Sequence, residues 1–209
     1  MSRIVAGSHR GRRLETPSGA TTRPTTDRVR EALFSALTSW VGTADAPPED
    51  ALAGLAFLDL YAGSGAIGLE AASRGAAPVL LVESDARTAA LARRNVASTA
   101  LSANVRAMSV ETLARTSADQ PYDVAFADPP YTVAADRLDA VVAELVANGW
   151  LASDGLLVLE RSRRSPEPRW PAQVVDSWER SYGETVLHYA ALGPTGDALP
   201  PDESDSVEP

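Results

Sequence analysis

Cysteine is absent from the 209-residue chain, which excludes disulfides, thiolate zinc sites and cysteine nucleophiles. Lysine is absent too. All nineteen basic residues are Arg, a bias that a GC-rich coding sequence produces and that removes any argument from guanidinium fork geometry at a single position. Only two histidines occur, His9 and His188. They lie far apart with no acidic partner at metal-ligand spacing, so both read as surface or hairpin residues and no metal is expected. No run of about 18 apolar residues is present, and the Arg-rich opening MSRIVAGSHRGRRLETPSG lacks an apolar h-region. The expectation is a soluble cytoplasmic protein, read as a monomer.

What is present is enough apolar residue, 44%, for one sizeable α/β core with small attachments. The net charge of −9 argues at first against a polyanionic partner, but the charge is segregated. Residues 1–30 hold seven Arg against Glu15 and Asp27, a net of +5, so the remainder carries −14. A basic arm therefore sits on an acidic body. Residues 193–209 hold five acids, no bases and four Pro, the composition of a disordered acidic tail.

Along the chain, residues 3–6 and 12–15 read as the arms of a short hairpin. After a turn-rich stretch at 16–26, Asp27 caps a helix that buries Val29, Leu33, Leu37 and Trp40 and ends near Gly42. Residues 43–50, with Pro47 and Pro48, form a linker. From Leu55 onward, apolar runs at 57–61, 79–83, 105–107, 124–127 and 156–160 alternate with amphipathic stretches at 66–74, 86–97, 111–117 and 136–148. That alternation is the signature of a parallel sheet with helices on both faces. Segments 174–180 and 185–192 form an antiparallel hairpin at the sheet edge. The expected division is a basic hairpin, helix and linker over 1–50, a catalytic domain over 51–192, and the tail.

In FLDLYAGSGAIG, a buried strand runs into a tight turn and a helix start. Gly63 and Gly65 let the backbone approach a ligand, and Gly68 lets the helix lie close to the strand. Twenty residues past Gly63, a second strand ends in Glu83, where a carboxylate can accept both hydroxyls of an adenosine ribose. Gly63, Gly65 and Gly68 also satisfy the dinucleotide fingerprint, so the loop does not separate S-adenosylmethionine (SAM) from NAD. Asp59 does. Its negative charge suits a donor bearing an ammonium and a sulfonium and repels a pyrophosphate.

Asp128-Pro129-Pro130-Tyr131 follows another apolar strand, so it lies on the same rim as the Gly turn. A base amino group is a poor nucleophile because its lone pair is delocalised into the ring. The Asp128 carboxylate and the Pro129 carbonyl can accept its two N–H bonds and aim the lone pair at a methyl donor, while the prolines pre-align these acceptors. Tyr131 can stack on the base. Methylation at a pyrimidine carbon commonly needs a thiolate to add to the ring first, and the chain has none. Amino methylation needs no covalent intermediate.

The segments RIVAGSHRGRRL, RPTTDRVREALF, DLYAGSGAIGLEAASRGA, VESD, DPPY and YGETVLHY together resemble the RsmD family of class I SAM-dependent methyltransferases, over about residues 3–192. That family methylates the N2 amino group of a guanine in bacterial 16S rRNA. The resemblance implies a Rossmann-like, mostly parallel sheet of seven strands ending in an antiparallel hairpin. It also implies SAM as donor, S-adenosylhomocysteine (SAH) as product, and 16S rRNA within a 30S assembly intermediate as partner. Carried over by motif, Asp59, Ala62, Gly63, Ser64 and Gly65 hold the methionine end, Glu83 with Ser84 the ribose, and Asp128, Pro129, Pro130 and Tyr131 the target base. The stretch Met108-Ser109-Val110-Glu111 lacks the acid often found there, so the backbone amide of Val110 is assigned the adenine.

Arg10, Arg12, Arg13 and Arg23 are expected to contact RNA phosphates. Arg163 and Arg164 read as a solvated loop near the rim, and Trp40, Trp150, Trp170 and Trp178 as packing residues. Three rivals stay open: a DNA adenine N6-methyltransferase, a non-catalytic RNA-binding assembly factor, and an NAD-dependent oxidoreductase. The first usually carries a larger recognition region, the second would not need Asp128, and the third needs a substrate domain that the chain has no room for.

Overall fold

The structure, a computed structural model, describes residues 2–17 and 27–193. Arg23, most of the turn-rich stretch before Asp27, and the acidic tail from 194 onward lie outside the described residues. Two short strands, β1 (Ser2–Arg3) and β2 (Arg13–Leu14), pair antiparallel, and helix α1 (Asp27–Trp40) follows. The main unit then runs β3 (Phe57–Leu60), α2 (Ala66–Ser73), β4 (Val79–Glu83), α3 (Ala86–Thr99), β5 (Asn104–Ala107), α4 (Val110–Ala114), β6 (Tyr122–Ala127), α5 (Ala135–Ala147), β7 (Leu151–Ser162), β8 (Val174–Tyr182) and β9 (Thr185–Leu192).

The seven-stranded sheet has the order β5-β4-β3-β6-β7-β9-β8. Strands β3 to β7 are parallel, and β9 returns antiparallel between β7 and β8. The chain builds outward from β3 through β4 to β5, then crosses back to place β6 on the other flank of β3. The reversal makes a crevice at the carboxyl ends of β3 and β6, the place where α/β sheets bind ligands.

The central strands read as continuous apolar runs because both faces are covered. Leu58, Leu60, Leu80, Val82, Ala125, Ala127, Leu157 and Leu159 pack against Val110 and Leu113 of α4 and Leu138, Val141 and Leu145 of α5. The alternate positions Phe57, Val79, Leu81, Val124, Phe126, Leu156 and Val158 pack against Val29, Leu33, Phe34 and Leu37 of α1 and Ile67 and Ala71 of α2. Helix α1 is therefore part of the sheet's covering layer, with Phe34 stacked on Phe57 at a centroid distance of 6.3 Å. Truncating Phe34 to Ala would cost about 3–5 kcal/mol.

Element ends differ from the sequence expectation where capping or pairing decides them. Helix α4 is shorter than 111–117 because the Ser109 side chain accepts from the Thr112 N–H and starts it early, and it closes at Arg115. Strand β7 begins at Leu151, five residues before the apolar run, because Leu151 pairs with Tyr122 across a register shift. Among the described residues no helix is long and apolar enough to cross a membrane.

Candidate active site on the carboxyl rim of the sheet

The glycine turn hangs from β3 and is tied to β4. The Ala62 N–H donates to the Val82 carbonyl at 2.9 Å, and the Gly63 N–H donates to Glu83 Oε2 at 3.0 Å. Glu83 Oε1 accepts from the Asp85 N–H at 2.8 Å. The Ser84 hydroxyl adds a long contact to Oε1 at 3.5 Å. A carboxylate offers about four lone-pair sites, so the half-buried Glu83 keeps acceptor capacity for a ligand hydroxyl after these three contacts. A Cβ on Gly63 would meet nothing within 4 Å, so the turn presents bare backbone to open space.

Beneath the turn lies Asp59, 2% exposed, whose Oδ2 accepts from the Gly68 N–H at 2.8 Å in the first turns of α2. Burial lifts its carboxyl from 3.8 to about 7; the Gly68 amide opposes the rise and the Glu83 charge adds to it. Gly68 makes this approach possible, because a Cβ there would sit 2.2 Å from Leu81 Cδ2 and 3.2 Å from Asp59. Asp59 thus places a carboxyl, readily protonated, under the cradle from within the core.

On the other flank of the crevice, Leu60 of β3 pairs in register with Ala127 of β6, and Ala127 pairs with Leu159 of β7. The residues that follow, Tyr61 and Asp128 just past their strands and Glu160 still within β7, are therefore neighbours across the rim, with adjacent strands about 4.8 Å apart. The glycine turn and the DPPY corner share one rim. A shallow cleft, open to solvent, is lined by Asp128, Pro129, Pro130, Tyr131, Glu160, Arg161, Ser162 and Ser165. Pro129 is buried, whereas Tyr131 is 78% exposed. Among the described residues that ring is the most exposed large hydrophobic side chain.

Residues 2–191 match the family described as Conserved hypothetical protein 95. Ribosomal RNA small subunit methyltransferase D of Escherichia coli (strain K12) is 36% identical over 171 residues, covering 81% of this chain and 79% of the relative. The chain belongs to this family, that of the RsmD methyltransferases. Ribosomal RNA small subunit methyltransferase D of Haemophilus influenzae is 30% identical over 168 residues, 78% of this chain and 80% of its own length. The solved structure of the Escherichia coli protein yhhF superposes with a TM-score of 0.76 at 33% identity, over 92% of this chain and 98% of that one.

In this RsmD-family chain Ser84 is exposed just beyond β4, and Val110 opens α4 with its side chain buried, both on the same rim. The arm's arginines are elsewhere. The hairpin lies along α2: the buried Glu70 carboxylate accepts from the Val5 and Ala6 N–H groups at 2.6 and 2.9 Å, and the Ser8 N–H donates to the Ser73 carbonyl at 2.7 Å. Ser73 is the last residue of α2, so the hairpin bend sits at the end opposite the glycine turn. Arg12 donates to the Ser98 carbonyl near the carboxyl end of α3, a favourable place for a cation. Arg10 and Arg13 are exposed. Eight residues of α2 separate the bend from the rim, about 12 Å at helical rise.

Three site features escape a reading of the sequence. Glu160 and Arg161 line the cleft, while Arg163 and Arg164 do not, and Arg164 faces Glu184 at 3.7 Å. A signal for Glu160 exists: an acid closing an apolar strand beside the DPPY strand. Tyr61 adopts φ +57, unusual for a non-glycine residue, and among the described residues its buried hydroxyl has no hydrogen-bond partner. Arg30, counted with the basic arm, is 2% exposed and donates to the Arg3 carbonyl at 2.6 Å, so it anchors the arm from inside. His188 pairs with Glu179 across the β8–β9 hairpin at 3.3 Å, and Trp150 is fully buried with its indole N–H on the Thr116 carbonyl at 2.8 Å.

Proposed function

We propose that this chain transfers a methyl group from SAM to the exocyclic N2 amino group of a guanine in small-subunit (16S) ribosomal RNA, within a 30S assembly intermediate. The observation that carries the reading is the shared rim, with a glycine turn backed by two carboxyls on one side of the β3/β6 crevice and DPPY on the other. The names of the relatives support the RNA substrate.

The residues fit the donor. Gly63 leaves open space above the turn, Asp59 sets beneath it a buried carboxyl that a cationic ligand would ionise, and Glu83 has acceptor sites to spare. Asp59 and the turn would hold the methionine end, Glu83 and Ser84 the ribose, and the Val110 amide the adenine. When bound, SAM supplies a sulfonium methyl that is open to displacement, leaving a neutral thioether.

The chain's own contribution is orientation. Asp128 and the Pro129 carbonyl accept the two N–H bonds of the target amine and hold its lone pair toward the glycine turn. Tyr131 stacks on the base, a contact of about 1–3 kcal/mol. The target nucleotide must leave its stack to enter this cleft, which favours a loop guanine over a paired one. Transfer would form the N–CH₃ bond and break the S–CH₃ bond, and solvent water would take up the proton that the nitrogen then loses.

The test is transfer of labelled methyl from SAM to 30S particles that lack the modification, to naked 16S rRNA and to duplex DNA, followed by mapping of the labelled nucleotide. The expected product is N2-methylguanine in the particle. Label in duplex DNA but not in particles would overturn the reading.

A further inference from the structure

Asn95 lies on α3 and is 1% exposed, yet its side-chain amide is fully engaged. Its Oδ1 accepts from the Glu15 N–H at 2.8 Å, and its Nδ2 donates to the Glu15 carbonyl at 3.0 Å and to the Ser64 carbonyl at 2.9 Å. With Glu15 the amide forms the reciprocal pair that a neighbouring strand would form. With its remaining hydrogen it holds the peptide between Ser64 and Gly65, in the middle of the glycine turn. That peptide is planar, so fixing the Ser64 carbonyl also fixes the Gly65 N–H, which donates to the Ala62 carbonyl at 2.8 Å.

Glu15 stands where the arm leaves the hairpin, just after β2. Asn95 is thus a single buried group that touches the arm and the turn at once. Anything that orders the turn strengthens its grip on Glu15, and anything that frees Glu15 loosens the turn. A hydrogen-bond network shared by two binding regions is the kind of contiguous contact through which coupling is carried, and such coupling is reciprocal.

We propose that Asn95 is a positioning residue that couples the N-terminal arm to the cofactor turn, so that donor binding tightens the arm and the seated arm tightens donor binding. The inference rests on the reading of the glycine turn as the SAM site. It adds a consequence: the arm that meets RNA is set more firmly once the methyl donor is aboard.

The test uses SAH and the whole chain. In the wild type, SAH should slow hydrogen exchange of the Glu15 amide by about tenfold, within the usual range of coupling between sites. Asn95→Asp keeps the shape and the Oδ1 acceptor but turns both Nδ2 contacts into oxygen facing oxygen. It should weaken SAH binding about tenfold by calorimetry and abolish the response of Glu15 to SAH. Arg94→Ala, which removes only the exposed pair with Glu15, should leave both readouts unchanged.

A wild type that binds SAH with no change at Glu15 would overturn the coupling and leave the proposed function intact. So would an Asn95→Asp protein that binds SAH as the wild type does, or an Arg94→Ala protein that behaves like Asn95→Asp. A wild type that does not bind SAH would sink the proposed function and this inference together. The exchange measurement needs no variant, so it decides the matter even if the substitutions prevent folding.

Discussion

The two corners of the crevice are built in opposite ways. At the glycine turn each carboxylate already holds a backbone amide, Asp59 on Gly68 and Glu83 on Gly63 and Asp85, and a buried asparagine pins the peptide between. At the DPPY corner the aromatic ring stands 78% exposed beside a shallow cleft. A small donor needs its site formed before it arrives, since it brings little binding energy to spend on ordering loops. A large RNA can complete a half-built site from its own surface. The contrast predicts that damage to the first corner registers in donor affinity and fold stability, and damage to the second in turnover and substrate binding.

The sharpest break would come at Asp128. Asp128→Ala should lower kcat by about 10³-fold, in line with the loss of a positioned polar group, while calorimetric SAH affinity stays as in the wild type. Lost SAH affinity with intact turnover would mean that the two corners had been assigned the wrong way round.

Next comes the pH dependence set by Asp59. Its folded value of about 7 lies above the ordinary 3.8, so between those limits the folded chain keeps a proton that the unfolded chain has released. Stability therefore falls as pH rises from about 4 to about 7, by roughly 4 kcal/mol for a shift of this size. A cationic donor favours the ionised form, so SAM affinity should climb through the same window. Urea unfolding and calorimetry at several pH values would show both slopes, and Asp59→Asn should flatten both. Parallel slopes in variant and wild type would remove Asp59 from the donor site.

Gly68→Ala should have a smaller effect. The new methyl lands 2.2 Å from Leu81 Cδ2, and although that side chain can shift, overpacking at such a site costs about 1–3 kcal/mol. Denaturant midpoints would report the loss, and SAH affinity should drop with it because Asp59 loses its close amide. Unchanged stability would mean that α2 can move away from β3 freely.

Much of this arrangement is legible in the sequence, because burial on both faces writes continuous apolar runs, and each run that ends in a polar residue points to the rim. Glu83 and Asp128 are read that way. What stays hidden depends on contacts distant in sequence. Asn95 on a helix reads as ordinary polar surface, since nothing local reveals a backbone partner 80 residues earlier. Arg30 reads as part of a basic arm because composition counts charge and not direction. Asp59 reads as a ligand contact from its place near a strand end, yet its carboxyl meets an amide of α2, an approach that only Gly68 permits.

The arm offers the smallest and most diagnostic test of the contrast. Its bend, where Arg10 stands, lies about 12 Å of helix away from the rim, and Arg12 is turned to the Ser98 carbonyl, so the contribution expected of these arginines is to RNA phosphates and not to the base in the cleft. Phosphate contacts shift affinity without changing the reaction. Replacing the three with Ala should therefore raise the substrate KM, leave kcat unaltered, and lower the slope of log KM against log salt by about 0.7–0.9 for each phosphate that is no longer neutralised. Arg12 already serves the Ser98 carbonyl, so Arg10 and Arg13 should account for most of the change. A salt slope equal to that of the wild type would move the RNA path off this side of the molecule and leave the arm with a purely structural task.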